Sequence, residues 1–164
     1  MKPLALLPFA ILLISAAPPA ADSAALDVAV TQIFAPYRQA NNNRSAWQYR
    51  GWSAETAALI AHWRRVTPSD EVDDLSDGDW FCLCQDWDAG AFRATTVARD
   101  VLAAGRVQYF MRINLGGGTQ RNARLIFRRE ARGWRLDDLI ASDYPRGIKQ
   151  ALRETIAADA KLPK

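Results

Sequence analysis

Histidine and cysteine are almost missing: the 164 residues hold one His, His62, and two Cys, Cys82 and Cys84. No serine stands in a Gly-x-Ser-x-Gly elbow, and His62 has no patterned partner, so the sequence offers nothing for a nucleophilic triad. Zinc wants four ligands and copper usually recruits His or Met beside Cys; past the leader only His62 and Met111 are left to help. No metal and no cofactor is therefore expected. His62 shares the polar side of a helical stretch with Glu55 and reads as a solvated surface histidine.

Long apolar runs are missing too. The stretch Leu4 to Ile14 is short of the roughly 20 residues that cross a bilayer, and Pro18 and Pro19 follow it closely. With Lys2 ahead of it and small residues from Ser15 to Ala25 behind it, the segment reads as a cleavable secretory signal over residues 1 to about 24, cut near Ala20 to Ala25. No cysteine lies near these sites, which excludes the acylated cysteine of a lipoprotein. The expectation is a periplasmic or secreted protein without a membrane anchor after cleavage. Residues 25–164 are then one domain of common size.

The net charge of +3 conceals a separation. Asp70, Glu71, Asp73, Asp74, Asp77, Asp79, Asp86 and Asp88 make up eight of the 18 acids, with no Lys or Arg among them. Many of the bases are arginines of the C-terminal half, so the domain should be electrically polar. Either the acidic segment folds back on the domain's own basic face or both surfaces stay open to partners. An exported protein with such a segment does not point to nucleic acid.

Leu26, Ala29, Val30 and Ile33 fall on one helical face, with Pro36 ending or kinking the helix. Ser53 should cap a second helix carrying Leu59, Ile60, Trp63 and Val66, stopped at Thr67-Pro68-Ser69. From Phe92 the period changes to two. Val107, Tyr109, Met111, Ile113 and Leu115 line one side of a strand, with Gln108, Arg112 and Asn114 on the other. Turns at Ala104-Gly105, Gly116-Gly117-Gly118 and Ala131-Arg132-Gly133 predict four antiparallel strands, the first over Phe92 to Leu102, and Ile148, Leu152 and Ile156 predict a terminal helix. This order spells an α+β domain with helices on one antiparallel sheet.

The span from Ile33 to Leu152, with "FCLCQDWD" in the middle and "ARLIFRREARGWRLDDL" later, resembles a family of exported bacterial domains of unknown function. Those domains look like distant relatives of the cystatin-like and nuclear-transport-factor-like folds. The resemblance implies a curved sheet wrapping a long helix and leaving a pocket at the open end; it implies a fold more than a function.

Cys82 and Cys84 leave three readings open: a disulfide, two buried thiols, or a metal or redox site. Two residues apart on a strand their side chains are too far apart to bond, so pairing requires a tight turn at Leu83. Gln85, Asp86 and Asp88 follow directly. Asp86 either accepts from an arginine such as Arg112 or Arg135, or lines a pocket mouth as ligand anchor or general base. Trp47, Tyr49 and Trp52, interleaved with Arg44 and Arg50, are either a recognition patch or core. Trp134 reads as core. The glycine run lacks the Lys and Ser or Thr of a phosphate loop. Asp73 to Gly78 departs from a calcium loop at Leu75, although Asp74, Asp77 and Asp79 leave a looser cation site to test.

The leading expectation is an exported non-enzymatic binding module for a protein or envelope component, in one version immunity-like or inhibitor-like. The rival is a small-molecule carrier or enzyme built around Asp86 in the open-ended pocket.

Overall fold

The computed structural model describes residues 20–42, 44–67, 73 and 75–160. Most of the expected signal, residues 1–19, therefore lies outside the described residues, as do Pro68, Ser69, Asp70, Glu71 and Asp74. The elements are α1 (Ala20–Phe34), α2 (Ala54–Val66), β1 (Arg93–Leu102), β2 (Arg106–Gly116), β3 (Thr119–Glu130), β4 (Gly133–Ala141) and α3 (Ile148–Asp159). Short 3-10 turns occupy Ala35–Arg38 and Ala46–Gln48. None of the described helices is long and apolar enough to cross a membrane.

The four strands form one antiparallel sheet in the order β1-β2-β3-β4, the α+β architecture that the period change predicts. Val107, Tyr109, Met111, Ile113 and Leu115 all point into the core, because alternation sends every second side chain of β2 to one face. Leu125, Phe127, Leu136 and Leu139 continue that face on β3 and β4. The hairpin turns rest on backbone that tolerates positive φ: Ala104 and Gly105 stand at 59° and 65°, Gly117 and Gly118 at 56° and 79°. Bulges interrupt the ladder between Thr96 and Ala98 and between Ile126 and Phe127. The second of these has a large consequence, since it turns Asp137 inward between Leu136 and Asp138.

Helix α1 lays Leu26, Val30, Ile33 and Phe34 onto the inner face, and the Tyr109 hydroxyl reaches it by donating to Asp27 at 2.9 Å. It starts earlier than the apolar stripe predicts, at Ala20, and passes at Phe34 into the 3-10 turn that contains Pro36. Ser53 caps α2 as expected, its Oγ accepting from the Thr56 amide. Immediately before it, Gly51 to Ser53 pairs in parallel with β4: Leu136 N donates to Gly51 O at 2.9 Å and Ser53 N to Leu136 O at 2.7 Å. These bonds cover part of an edge that would otherwise be open.

Helices α2 and α3 pack on each other and on β4. An ion network fastens them. Asp137, 5% exposed, accepts from Ser53 Oγ at 2.8 Å, Lys149 Nζ at 3.2 Å and Arg128 Nη1 at 3.4 Å. Glu55 takes Lys149 at 2.7 Å and Arg153 at 2.6 Å, and these cations hold its carboxyl below the ordinary range, the hydrogen bond from Lys149 first. At the start of α3, Gly147 has no side chain to cap with; Asp138 Oδ1 accepts the Lys149 amide at 3.2 Å instead. A Cβ on Gly147 would sit 2.5 Å from that carboxylate, so the approach needs glycine.

Candidate functional site

Among the described residues between α2 and β1 there is no helix or strand, yet they are wound tightly because the acids serve as local acceptors. Asp73 Oδ1 accepts the Leu75 and Ser76 amides at 3.1 and 2.7 Å, and its Oδ2 takes the Trp63 indole at 2.7 Å. Asp79 Oδ1 accepts the amides of Phe81 and Cys82 at 2.8 and 3.1 Å together with the hydroxyl of Tyr37. Burial pushes the Asp79 carboxyl up, against the downward pull of those donors. Burial next to the same carboxylate also drives the Tyr37 phenol far above its ordinary value.

Backbone bonds close the turn, Leu83 N donating to Asp79 O at 2.9 Å and Asp79 N to Cys84 O at 3.0 Å. Leu83 stands in the left-handed region at φ 55°, the tight turn that pairing of the two cysteines requires. Cys82 and Cys84 are disulfide-bonded, with Cα atoms 5.2 Å apart. Closing so short a loop removes on the order of 1.5 kcal/mol of unfolded-chain freedom. Holding a leucine in the left-handed region costs about 1–2 kcal/mol, so the bond adds next to nothing to stability by this route.

Cys82 is fully buried, whereas Cys84 is half-buried and lines two shallow recesses. One, of about 450 Å³, has Asp77, Asp79, Gln85, Arg121, Asp143 and Tyr144 around it. The other has Asp86, Trp87, Asp88, Thr119 and, again, Arg121. Gln85 ties the segment to Asp77, its Nε2 donating to both the carbonyl and the carboxylate at 3.1 Å. Asp88 anchors it to the sheet: its amide donates to Leu115 O at 2.8 Å, and its Oδ1 accepts from Gly90 and Ala91. A Cβ at Gly116, where φ is 93°, would lie 2.6 Å from the Asp88 Cβ.

Asp86 lies along the second recess and not against an arginine. Its carboxylate is exposed and, among the described residues, accepts only the amide of Trp87, at 3.1 Å, so neither Arg112 nor Arg135 pairs with it. The reason is anchoring on both sides. Gln85 is held to Asp77 and the Trp87 indole donates to Tyr37 O at 2.8 Å, which turns the residue between them outward. The same holds for the acidic segment generally: among the described residues none of its carboxylates joins an ion pair with the basic residues of the sheet. Nor does any group of three or more His, Cys, Asp or Glu converge among them. The looser cation set cannot be placed whole, since Asp74 lies outside the described residues.

No family model, curated protein or solved structure matches this chain. The function must be argued from its own geometry.

Trp52 is buried and stacked on Phe81 at 5.5 Å, with its indole donating to Ala46 O at 3.0 Å. Trp47 and Tyr49 are half-buried, set edge-on against Trp63 and Phe81 respectively. Their rings therefore belong to one aromatic cluster centred on Trp80, with Arg64 lying over Trp47. Arg135 lies near Tyr49, where its charge partly opposes the upward push of burial on that phenol. Trp134, read as core, is half-buried and packs against the core under Arg129, its buried indole nitrogen having no hydrogen-bond partner among the described residues.

Two further recesses involve the sheet. Between α1 and the inner face lies a cavity of about 380 Å³, bordered by Asp27, Thr31, Phe34, Arg38, Thr96 and Met111. Asp86 takes no part in it. Across the outer face runs an open groove of about 480 Å³ with Val97, Phe110, Arg112, Arg124, Ile140 and Pro145 along it. Ladder register explains its makeup, since Ala98, Phe110, Arg124 and Ile140 stand in one cross-strand row and Arg112 in the next. Sequence reasoning found Arg112 but missed Arg124 and Arg121. Nothing local marks them, because their neighbours come from other strands.

Proposed function

We propose that this chain is an exported, non-enzymatic binding module with a cystatin-like or nuclear-transport-factor-like arrangement, and that its outer sheet face takes an acidic segment of a partner protein carrying apolar side chains. The observation that supports this reading is the makeup of the groove. Val97 is 55% exposed there, Phe110 and Ile140 are half-buried, and Arg112 and Arg124 flank them without joining an ion pair among the described residues. Exposed apolar side chains rimmed by charge mark an interaction surface. Arginine suits the rim, because its guanidinium pairs with carboxylates through two parallel bonds. An inhibitor-like or immunity-like role is the biological form such a module would take outside the cytoplasm.

The test presents immobilised protein with short synthetic peptides that differ in charge and in apolar content. Peptides combining Asp or Glu with aromatic or aliphatic residues are expected to be retained, less so as salt rises. The double variant R112E/R124E is expected to lose them while keeping its circular dichroism. Capture that ignores peptide charge, or that survives the double variant, refutes the surface.

A second reading keeps a small ligand in the cavity under α1. Its volume and mixed lining suit one. Asp27 and Arg38 would then be the anchors in place of Asp86.

A further inference from the structure

We infer that the Cys82–Cys84 pair is a thiol-exchange site, open to attack at Cys84, that favours cationic thiols such as those on basic protein segments. Three observations meet at this bond. It contributes little to stability, for the loop it closes contains only Leu83, and that residue stands in the left-handed region. Its two sulfurs are unequally placed: Cys82 is fully buried, while Cys84 lines both recesses of the acidic segment. Finally, carbonyl acceptors stand ready for the buried sulfur, Cys84 O at 3.5 Å and Asp79 O at 3.9 Å from Cys82 Sγ, so that a Cys82 thiol would have partners for its proton. Disulfides that are strained or accessible are the ones that exchange, whereas structural ones resist the common thiols.

The reaction follows from the geometry. A substrate thiolate approaches Cys84 Sγ from the open side, opposite Cys82. As the new S–S bond forms, the Cys82–Cys84 bond breaks and its electron pair goes to Cys82 Sγ, which takes a proton from solvent. A second thiolate attacks the substrate sulfur of this mixed disulfide and releases Cys84 as a thiolate. Two thiols have then been oxidised to one disulfide, and the protein pair has taken up the two electrons.

Selectivity comes from the surroundings. Asp77, Asp86, Asp88 and Asp143 ring the two recesses, with Arg121 the one base along either among the described residues. A negative mouth concentrates cations and repels anions over about a Debye length.

The experiment uses the intact oxidised protein and three small thiols: cysteamine, which is cationic, mercaptoethanol, which is neutral, and mercaptoethanesulfonate, which is anionic. Each exchange rate is divided by the rate on a disulfide-bonded peptide spanning residues 81–85, which removes the thiols' own differences in reactivity. The expected order is cationic, neutral, anionic, with about tenfold between the ends at low salt and little left at high salt. Trapping the adduct by acid quench and peptide mapping should find it on Cys84. Resistance to millimolar thiol, an adduct on Cys82, equal normalised rates, or loss of the near-ultraviolet circular dichroism on reduction would each overturn the assignment, the last because the bond would then hold the fold. The C82S variant offers a second view: its free Cys84 thiolate should attack the disulfide forms of the same three reagents, releasing one thiol and keeping the other as a mixed disulfide, with the same charge preference.

Discussion

The Tyr37 hydroxyl donates to Asp79 Oδ1 across 42 residues of chain, joining the turn that follows α1 to the turn that carries the disulfide. Around this bond Tyr37 stacks on Phe92 at 5.0 Å and meets Trp87 edge-on at 5.4 Å. An irregular segment thus acquires a rigid base without helix or strand: its polar atoms are satisfied locally, and its rings bury the bonds that do so.

The buried carboxyl gives stability a definite slope with pH. Burial raises Asp79 in the folded state, so ionising it costs more there than in the unfolded chain, and stability should fall as pH rises from the ordinary carboxylate value through the raised one. Asp138, raised by burial as well, has the same sign. Glu55, lowered chiefly by the Lys149 hydrogen bond, has the opposite sign, and its contribution is lost as pH falls below the ordinary value. Urea midpoints taken from pH 3 to pH 7 should therefore flatten above the ordinary carboxylate range in Asp79→Asn, and below it in Glu55→Gln. An unchanged slope in Asp79→Asn would mean that Asp79 ionises as freely in the fold as outside it.

Removing Asp137 should cost about 3 kcal/mol, because it leaves Lys149 and Arg128 short of a buried partner and Ser53 without its acceptor. The exposed pair Arg146 and Glu154 supplies the contrast: Arg146→Ala should change stability by about 0.5 kcal/mol or less. Denaturant titration of Asp137→Ala and Arg146→Ala side by side checks both, and equal losses would contradict the burial argument.

Gly116→Ala should destabilise by about 1–3 kcal/mol, since the new methyl both meets the Asp88 Cβ and sits on positive-φ backbone. At Gly117, also at positive φ, nothing lies within 4 Å of an added Cβ. Gly117→Asn should then cost only a few tenths of a kcal/mol, asparagine tolerating the left-handed region. Thermal unfolding of the two variants separates crowding from backbone strain.

The apolar spacing of α2 and β2 was enough to place both, and Ser53 marked where α2 begins, since periods of 3.6 and 2 and a capping oxygen are properties of neighbouring residues. The glycine turns were legible for the same reason. So was the demand for a turn at Leu83 if the cysteines pair, which is simple chain geometry. For Asp86 the string left an arginine partner and a recess mouth both open, and only its neighbours' anchors to Asp77 and Tyr37 turn it to solvent beside the recess.

By itself the sequence determined the order of elements, the inward face of β2 and the gathering of acids into one stretch, all set by residues within a few positions of each other. Tertiary structure alone decided that Asp137 is buried, that Arg121 and Asp143 share a recess with Cys84, and that Arg112 and Arg124 flank Phe110 on an open face. Those relations depend on register, on a bulge and on which loop lies beside which, and they join residues too far apart along the chain for local spacing to carry the signal.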